Sequence, residues 1–276
     1  MLYRRVLLGL GAAGVGTTSY FLDKSPLTGK RRLILWGENV DIYIGQITSE
    51  NLHTQYKERI LYESSIEHQL VKYLSHSIVQ EIPIKRDWNV TVIDDPSVNA
   101  FVTPDGSIFV FKGLLDIVDS IDELGFILAH ECSHVYLRHS ANQLSTRGIL
   151  SVIVMLFQLW LFGDIYNTSM AENLLIILPM SRKCELEADK YALILESKLG
   201  LRLEGASSMM SKLKKYELRT ELLSTHPLSD HRVKEIIATT MKLKDETTPH
   251  DYEVLRLKIA VATKLFEKYE KIRNKR

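Results

Sequence analysis

His130-Glu131-Cys132-Ser133-His134 is an HExxH motif, and the residues around it predict a long helix. On an α-helix, residues four apart lie on the same face and about 6 Å apart along the axis, so both imidazoles can reach one metal ion. Glu131 is offset by one residue, which places its carboxylate beside the metal instead of on it. Two nitrogen ligands, an adjacent general base and an open coordination position form the layout of a zinc hydrolase site.

The residues around this motif predict a buried helix. Ser120-Ile121-Asp122-Glu123 has the pattern of a capping box that starts a helix. A helix that is apolar on most sides is buried. Two His and a Glu inside such a helix need polar partners, and a metal ion satisfies them. The apolar residues that flank the motif are Leu124, Ile127, Leu128, Val135 and Leu137.

Two histidines do not complete a catalytic zinc site, which usually has three protein ligands. One class of zinc peptidases places a third His six residues after the second. Ser140 occupies that position here, and His139 is one residue off. This class is therefore excluded, and the third ligand must come from another part of the chain.

Glu185 is the better candidate for the third ligand, in the acidic stretch 185–189. On a helix that begins near Pro179, Glu185 and Asp189 share a face, whereas Glu187 points roughly opposite. Glu185 can then bind the metal. Asp189 can accept the outer N–H of a ligand histidine and so fix the tautomer of that ring.

Ser224-Thr225-His226-Pro227 is a third element of interest, and Arg232 follows it. On its own, a His-Pro pair is typical of a loop turn. Beside a zinc site, His226 can instead donate a hydrogen bond to the oxyanion that develops on the scissile carbonyl, and Arg232 is a further candidate for that role. The sequence leaves both interpretations of the His-Pro pair open.

The composition limits the class of protein. The 276 residues are 45% hydrophobic, which suits one catalytic domain with a substantial core, preceded by a leader. The net charge of +1 argues against a nucleic-acid binder. Cys132 and Cys184 do not suggest a disulfide framework.

The N-terminus predicts attachment to a membrane. Val6–Leu22 carries no charge and follows Arg4 and Arg5, and its 17 residues are the lower limit for a span. A membrane anchor is favoured over a cleaved targeting segment and over a buried terminal helix. The chain then divides into an anchor or targeting segment at residues 1–24 and a catalytic domain at residues 25–276.

A second apolar region, residues 149–178, forms an insert in the catalytic domain. Ile149–Phe162 is short for a span, and a further apolar run at Leu174–Leu178 follows it. The insert is either a buried helical hairpin or one that dips into a bilayer. Membrane contact is slightly favoured, because a soluble surface does not tolerate so large an apolar patch.

The remaining segments predict a mainly α fold with a small β-sheet (α+β). Asp105-Gly106 lies between two apolar runs, which is a strong hairpin signal. One or two helices are expected within residues 50–81, and helices again from Ser120 onward. Before and between these helices we expect a turn and basic linker at Pro26–Arg32 and strands at Asn89–Ile93, Asn99–Val102 and Ser107–Phe111.

The motifs HECSH, SRKCELEAD and STHP with a following Arg, in that order, resemble the HtpX and CAAX-prenyl-endopeptidase family of zinc metallopeptidases. NAFVTPDGSIFVFKGLL resembles the strand pair and edge strand that precede the HExxH helix in that family. SPLTGKRRL after a hydrophobic segment is similar to the Oma branch, whose members are mitochondrial inner-membrane, stress-activated metalloendopeptidases. The resemblance covers roughly Ser25 to Ile237.

This resemblance implies a gluzincin-type peptidase with an N-terminal membrane anchor. It implies Zn²⁺ on His130, His134 and Glu185, with Glu131 as the base. The substrates would be proteins tethered in the same bilayer, cleaved in inner-membrane quality control and stress response. The catalytic domain would face the intermembrane space, and a homo-oligomer is compatible with the sequence. The edge strand at Ile108, Phe109 and Val110 would align the substrate by strand addition.

Two alternatives remain open. One is a CAAX-prenyl or HtpX-like peptidase in another membrane. The other is a pseudoenzyme or membrane chaperone that binds the metal without turnover, and the intact Glu131 argues against it.

Overall fold

Helices dominate the computed structural model, which describes residues 22–162, 178–215, 221–246 and 249–275. A three-stranded sheet and a two-stranded hairpin accompany them, so the predicted α+β class is confirmed. The strands are β1 (Leu22–Lys24), β2 (Arg31–Leu33), β3 (Val90–Ile93), β4 (Ala100–Val102) and β5 (Ile108–Phe111). The helices are α1 (Glu38–Gln55), α2 (Ile66–Val79), α3 (Lys112–Ile117), α4 (Ile121–Tyr136), α5 (His139–Phe162), α6 (Leu178–Lys198), α7 (Glu204–Lys215), α8 (Leu222–Thr225), α9 (Asp230–Asp245), α10 (Pro249–Arg256) and α11 (Ala260–Arg273).

The α4 helix carries the HExxH motif through the centre of the fold. The Oγ of Ser120 accepts a hydrogen bond from the N–H of Glu123, so the predicted helix start is confirmed. Almost every residue of α4 is buried, and the helix packs against α6, α7 and α2. Burying apolar side chains on several faces contributes roughly 1.5–3 kcal/mol for each large one. Cys132 and Cys184 are both free and buried.

The three-stranded sheet has the order β3-β5-β4, which corrects one prediction. The strand Ile108–Phe111 was expected at the edge, but it pairs in parallel with β3 and antiparallel with β4. All four of its residues are apolar and buried, as suits a central strand. Ile108, Phe109 and Val110 therefore cannot accept a substrate strand, and the sheet edge nearest the HExxH helix is β4.

The β1–β2 hairpin occupies the region that was predicted as a turn and basic linker. The turn is present, since the N–H groups of Ser25 and Gly29 bond the carbonyls of Lys30 and Ser25. Gly29 has a φ of 66°, a conformation that glycine adopts without steric cost. Arg31–Leu33, however, is a strand paired with Leu22–Lys24. Residues 22–24, at the end of the predicted leader, thus belong to a folded element.

The predicted helical region at residues 50–81 is two helices, of which α1 begins earlier, at Glu38. A short 3₁₀ turn at Lys57–Arg59 follows α1. Its neighbours Ile60 and Leu61 bond the outer side of β3, because Ile60 bridges Ile93 and the N–H of Leu61 bonds the carbonyl of Val92 at 2.9 Å.

The two predicted membrane-contacting regions lie partly outside the described residues. Residues 1–21 and 163–177 are not described, and these hold most of the predicted anchor and the second half of the insert. Among the described residues, no helix is long and apolar enough to cross a bilayer. The first half of the insert continues α5 and exposes large apolar side chains, namely Val152, Ile153, Met155 and Leu156.

Candidate metal centre

Packing of α4 against α6 brings the three predicted metal ligands together. The Nε2 atoms of His130 and His134 lie 3.1 Å apart. The Oε2 of Glu185 lies 3.4 Å from Nε2 of His130, and its Oε1 lies 3.6 Å from Nε2 of His134. His130 and Glu185 are buried, and His134 is nearly so.

These distances fit a tetrahedral zinc ion. Ligand atoms held at about 2.0–2.1 Å in a tetrahedron are roughly 3.3 Å apart, and the three observed separations bracket that value. Two imidazole nitrogens and one carboxylate converge here, and a single cation can accept a lone pair from all three at once. The donor set of two imidazoles and one carboxylate is also the set that catalytic zinc uses.

His226 also reaches this cluster. Its Nδ1 lies 3.0 Å from Oε2 of Glu185 and 3.4 Å from Nε2 of His130. The ligand atoms of His130, His134, Glu185 and His226 all lie within 4.8 Å of one another. The other ring nitrogen, Nε2, lies 3.5 Å from Oε1 of Glu131. The structure thus joins the His-Pro element to the site, between the metal ligands and the candidate base.

Glu131 stands beside the ligands, where the sequence placed it. Its side chain is buried, and Oε1 makes no hydrogen bond with the described residues. Burial raises the pKa of this carboxyl, and the nearby Glu185 acts in the same direction. A carboxylate with a raised pKa is a stronger base, as a proton acceptor at this position requires.

The carboxylate of Asp189 lies beside the outer nitrogen of a ligand histidine. Its Oδ1 is 3.0 Å from Nδ1 of His130, although the N–H direction is not aligned for a hydrogen bond. Burial alone would lower the pKa of His130, but the neighbouring carboxylates of Asp189 and Glu185 raise it to about 10. The two carboxylates therefore favour positive charge at His130.

Arg232 binds the carboxylates of both Asp189 and Glu185. It is buried, and its Nε and Nη2 lie 2.7 Å from the two oxygens of Asp189. Its Nη1 lies 3.0 Å from Oε2 of Glu185 and donates to the carbonyls of His226 and Pro227. All three nitrogens thus bind groups that hold the site, which favours a positioning role over contact with an oxyanion.

Sequence reasoning missed a second set of contacts, made by His139 and Glu187. His139 was considered only as a ligand and excluded, yet its Nδ1 lies 2.9 Å from Nδ1 of His134. Glu187 points away from the metal, as predicted, and its Oε2 lies 3.4 Å from Nε2 of His139. No helical period predicts this contact, because the chain turns at Arg138, which has a φ of 49°.

Comparison with known proteins identifies the family. A model of peptidase family M48 matches residues 65–240, which is more than half of the chain. The chain belongs to peptidase family M48. The match includes the HExxH motif, Glu185, Asp189, His226 and Arg232.

Several known proteins are similar in sequence to this chain. The mitochondrial metalloendopeptidase OMA1 of Schizosaccharomyces pombe is 31% identical over 239 residues, covering 80% of this chain and 68% of the relative. The human protein named metalloendopeptidase OMA1, mitochondrial, is 28% identical over 268 residues, or 87% of this chain and 51% of the relative. A Yersinia pestis beta-barrel assembly-enhancing protease is 23% identical over 64% of this chain and 40% of the relative. The chain spans about half the length of the vertebrate relatives.

Proposed function

We propose that this chain is a zinc-dependent endopeptidase of mitochondrial quality control, acting on proteins tethered in the inner membrane. The observation that carries the proposal is the convergence of His130, His134 and Glu185 within 3.1–3.6 Å, with Glu131 beside them. Membership of family M48 and the names of the OMA1 relatives support the activity and the compartment.

Each residue of the site has one role in peptide hydrolysis, which its position determines. When bound, Zn²⁺ supplies Lewis-acid chemistry that polarises the scissile carbonyl and acidifies the attacking water. Glu131 takes the proton of that water, because Oε1 is buried beside the ligands with no hydrogen-bond partner among the described residues, and it can return the proton to the leaving amine. His226 faces Glu131 and donates to the developing oxyanion through Nε2.

The substrate backbone pairs with β4. Hydrogen bonds join Phe111 to Asn99 and Thr103 to Ser107, so the alternation of an antiparallel ladder directs the backbone groups of Ala100 and Val102 away from β5. The opposite edge of the sheet, on β3, is covered by Ile60 and Leu61. A substrate strand added to β4 would run beside α4, the helix that carries Glu131.

Both apolar regions of the chain contact the membrane in this proposal. Residues 1–21 supply the anchor, and the exposed apolar side chains of α5 rest against the bilayer. Confinement to one membrane raises the local concentration of a tethered substrate. The catalytic domain faces the intermembrane space.

The activity is tested with the purified full-length chain and an unfolded protein substrate. Cleavage should stop when zinc is removed by a chelator and return when zinc is restored. Activity that survives complete removal of metal would overturn the proposal. The placement is tested on isolated mitochondria by alkaline carbonate extraction and protease protection. Retention in the membrane, with protection until the outer membrane is opened, is expected; full release by carbonate would contradict the anchor.

A further inference from the structure

One assignment of protons satisfies the contacts that His134 makes on the side away from the metal site. For its Nε2 to bind a metal, His134 must carry its proton on Nδ1, 2.9 Å from Nδ1 of His139. His139 must accept that proton's hydrogen bond, so its own proton is on Nε2, which lies 3.4 Å from Oε2 of Glu187. Glu187 is an acceptor only, so one set of tautomers satisfies every contact.

The backbone and the side chain of Arg138 both hold His139 in this position. Arg138, in a left-handed conformation, turns the chain between α4 and α5 so that His139 folds back onto His134. The Arg138 guanidinium donates hydrogen bonds to Asp41 at 2.6 Å and to the carbonyl of Trp36 at 2.8 Å. The His139 ring is buried, with only 1% of the residue exposed.

Glu187 extends the set of contacts to the N-terminal hairpin. Its Oε1 accepts a hydrogen bond from the hydroxyl of Thr28 at 2.8 Å, and its Oε2 accepts one from Ser25 at 3.3 Å. Both hydroxyls belong to the β1–β2 turn. Arg32 of β2 donates to the carbonyl of Leu137, at the end of α4. The hairpin is therefore fixed at both Glu187 and the helix that carries His134.

We propose that His139 and Glu187 are positioning residues for the zinc ligand His134, and that the Ser25–Thr28 turn holds Glu187 in place for this role. The inference rests on the proposed function only in taking the ion to be zinc. The Ser25–Thr28 turn, which follows the N-terminal segment, then helps to position a ligand of the metal site. Loss of a hydrogen-bonding group behind a metal ligand costs about 10–100-fold in metal affinity or activity.

The test compares variants of the full-length chain by zinc affinity in competition with a chelator. His139→Gln keeps one acceptor and one donor, whereas His139→Leu keeps the volume and loses both. We expect His139→Leu to weaken zinc binding about 10–100-fold and to alter the visible spectrum of the cobalt-substituted protein, and His139→Gln to stay within a few-fold of wild type. An unchanged His139→Leu variant would overturn the proposal, and so would equal losses in both variants, which packing alone explains.

The hairpin is tested through the exposed hydroxyl of Thr28. Thr28→Val should weaken zinc binding several-fold, and Thr28→Ser should restore it. Thr48→Val is the matched control, since the Thr48 hydroxyl bonds the carbonyl of Ile44 in its own helix. Equal zinc affinity of the two valine variants would remove the hairpin from the proposal. Failure of the proposed function is a separate result, because the wild-type protein itself would then bind no zinc and cleave nothing.

Discussion

Arg232 and Asp189 form a bidentate buried pair, with Nε and Nη2 each 2.7 Å from a carboxylate oxygen. The same guanidinium lies 3.0 Å from Glu185. It thereby links the third metal ligand, the carboxylate beside His130 and the His226-Pro227 loop.

Replacing this guanidinium should destabilise the fold and the metal site together. Arg232→Met leaves the Asp189 carboxylate buried without its partner, and breaking a buried pair in this way costs about 3–5 kcal/mol. The free energy of unfolding in denaturant measures the loss. His231→Ala, at the exposed neighbouring position, is the control and should change little. A loss below about 1 kcal/mol in Arg232→Met would show that the pair is dispensable.

The two carboxylates on the metal-facing side of α6 should differ in their effect on zinc. Glu185→Ala removes a ligand and should abolish stoichiometric zinc binding. Asp189→Asn keeps the ligand set and should cost roughly 10–100-fold in affinity or activity. The zinc content of the purified variants, compared with that of wild type, measures this difference. Full zinc content in Glu185→Ala would mean that the third ligand lies elsewhere.

His226 should matter for turnover more than for metal binding. His226→Ala removes the Nε2 donor beside Glu131, and loss of one oxyanion donor lowers turnover by about 10²–10³. We expect zinc content to stay normal. Zinc depletion in this variant would instead make the Nδ1 atom, 3.0 Å from Glu185, a fourth ligand.

Glu196 should make stability depend on pH. It is fully buried, and neither carboxylate oxygen has a hydrogen-bond partner among the described residues. Burial, together with the charges of Asp122 and Glu204, raises the pKa of this group well above its ordinary value of 4.5. An acid with a raised pKa in the folded state contributes full stability below its unfolded pKa and loses it as pH rises through the folded pKa.

Glu196→Gln, which is neutral at every pH, should therefore be more stable than wild type at alkaline pH by roughly 1–3 kcal/mol. The advantage should shrink as pH falls toward about 4.5 and wild-type Glu196 is protonated. Thermal unfolding across this range measures it, with Glu63→Gln on the surface as the control. A difference that does not vary with pH would contradict the assignment.

The parts of the site that follow helical periodicity could be predicted from the sequence. His130 and His134 are four apart, as are Glu185 and Asp189, so each pair shares a helix face whatever the fold around it. The Asp105-Gly106 hairpin was predicted for a similar local reason, and Gly106 has a φ of 104°.

The parts that depend on long-range pairing could not be predicted in the same way. The parallel pairing of β3 with β5 joins two strands that have β4 between them in the sequence, and the continuous apolar run Ile108–Phe111 was the local sign of a central strand. The contact of His139 with His134 depends on a left-handed residue, Arg138, where glycine would have been the usual signal. The hairpin at Ser25–Thr28 reaches Glu187 across 159 residues of sequence.

Glu131 is the proposed base of the zinc peptidase, so Glu131→Gln should separate metal binding from turnover when both are measured on the same purified sample. The substitution keeps both imidazoles and Glu185 but removes the charge that accepts the proton. The expected result is full zinc content with turnover lowered by about 10²–10⁴. Near-normal cleavage by the zinc-loaded variant would show that Glu131 is not the base.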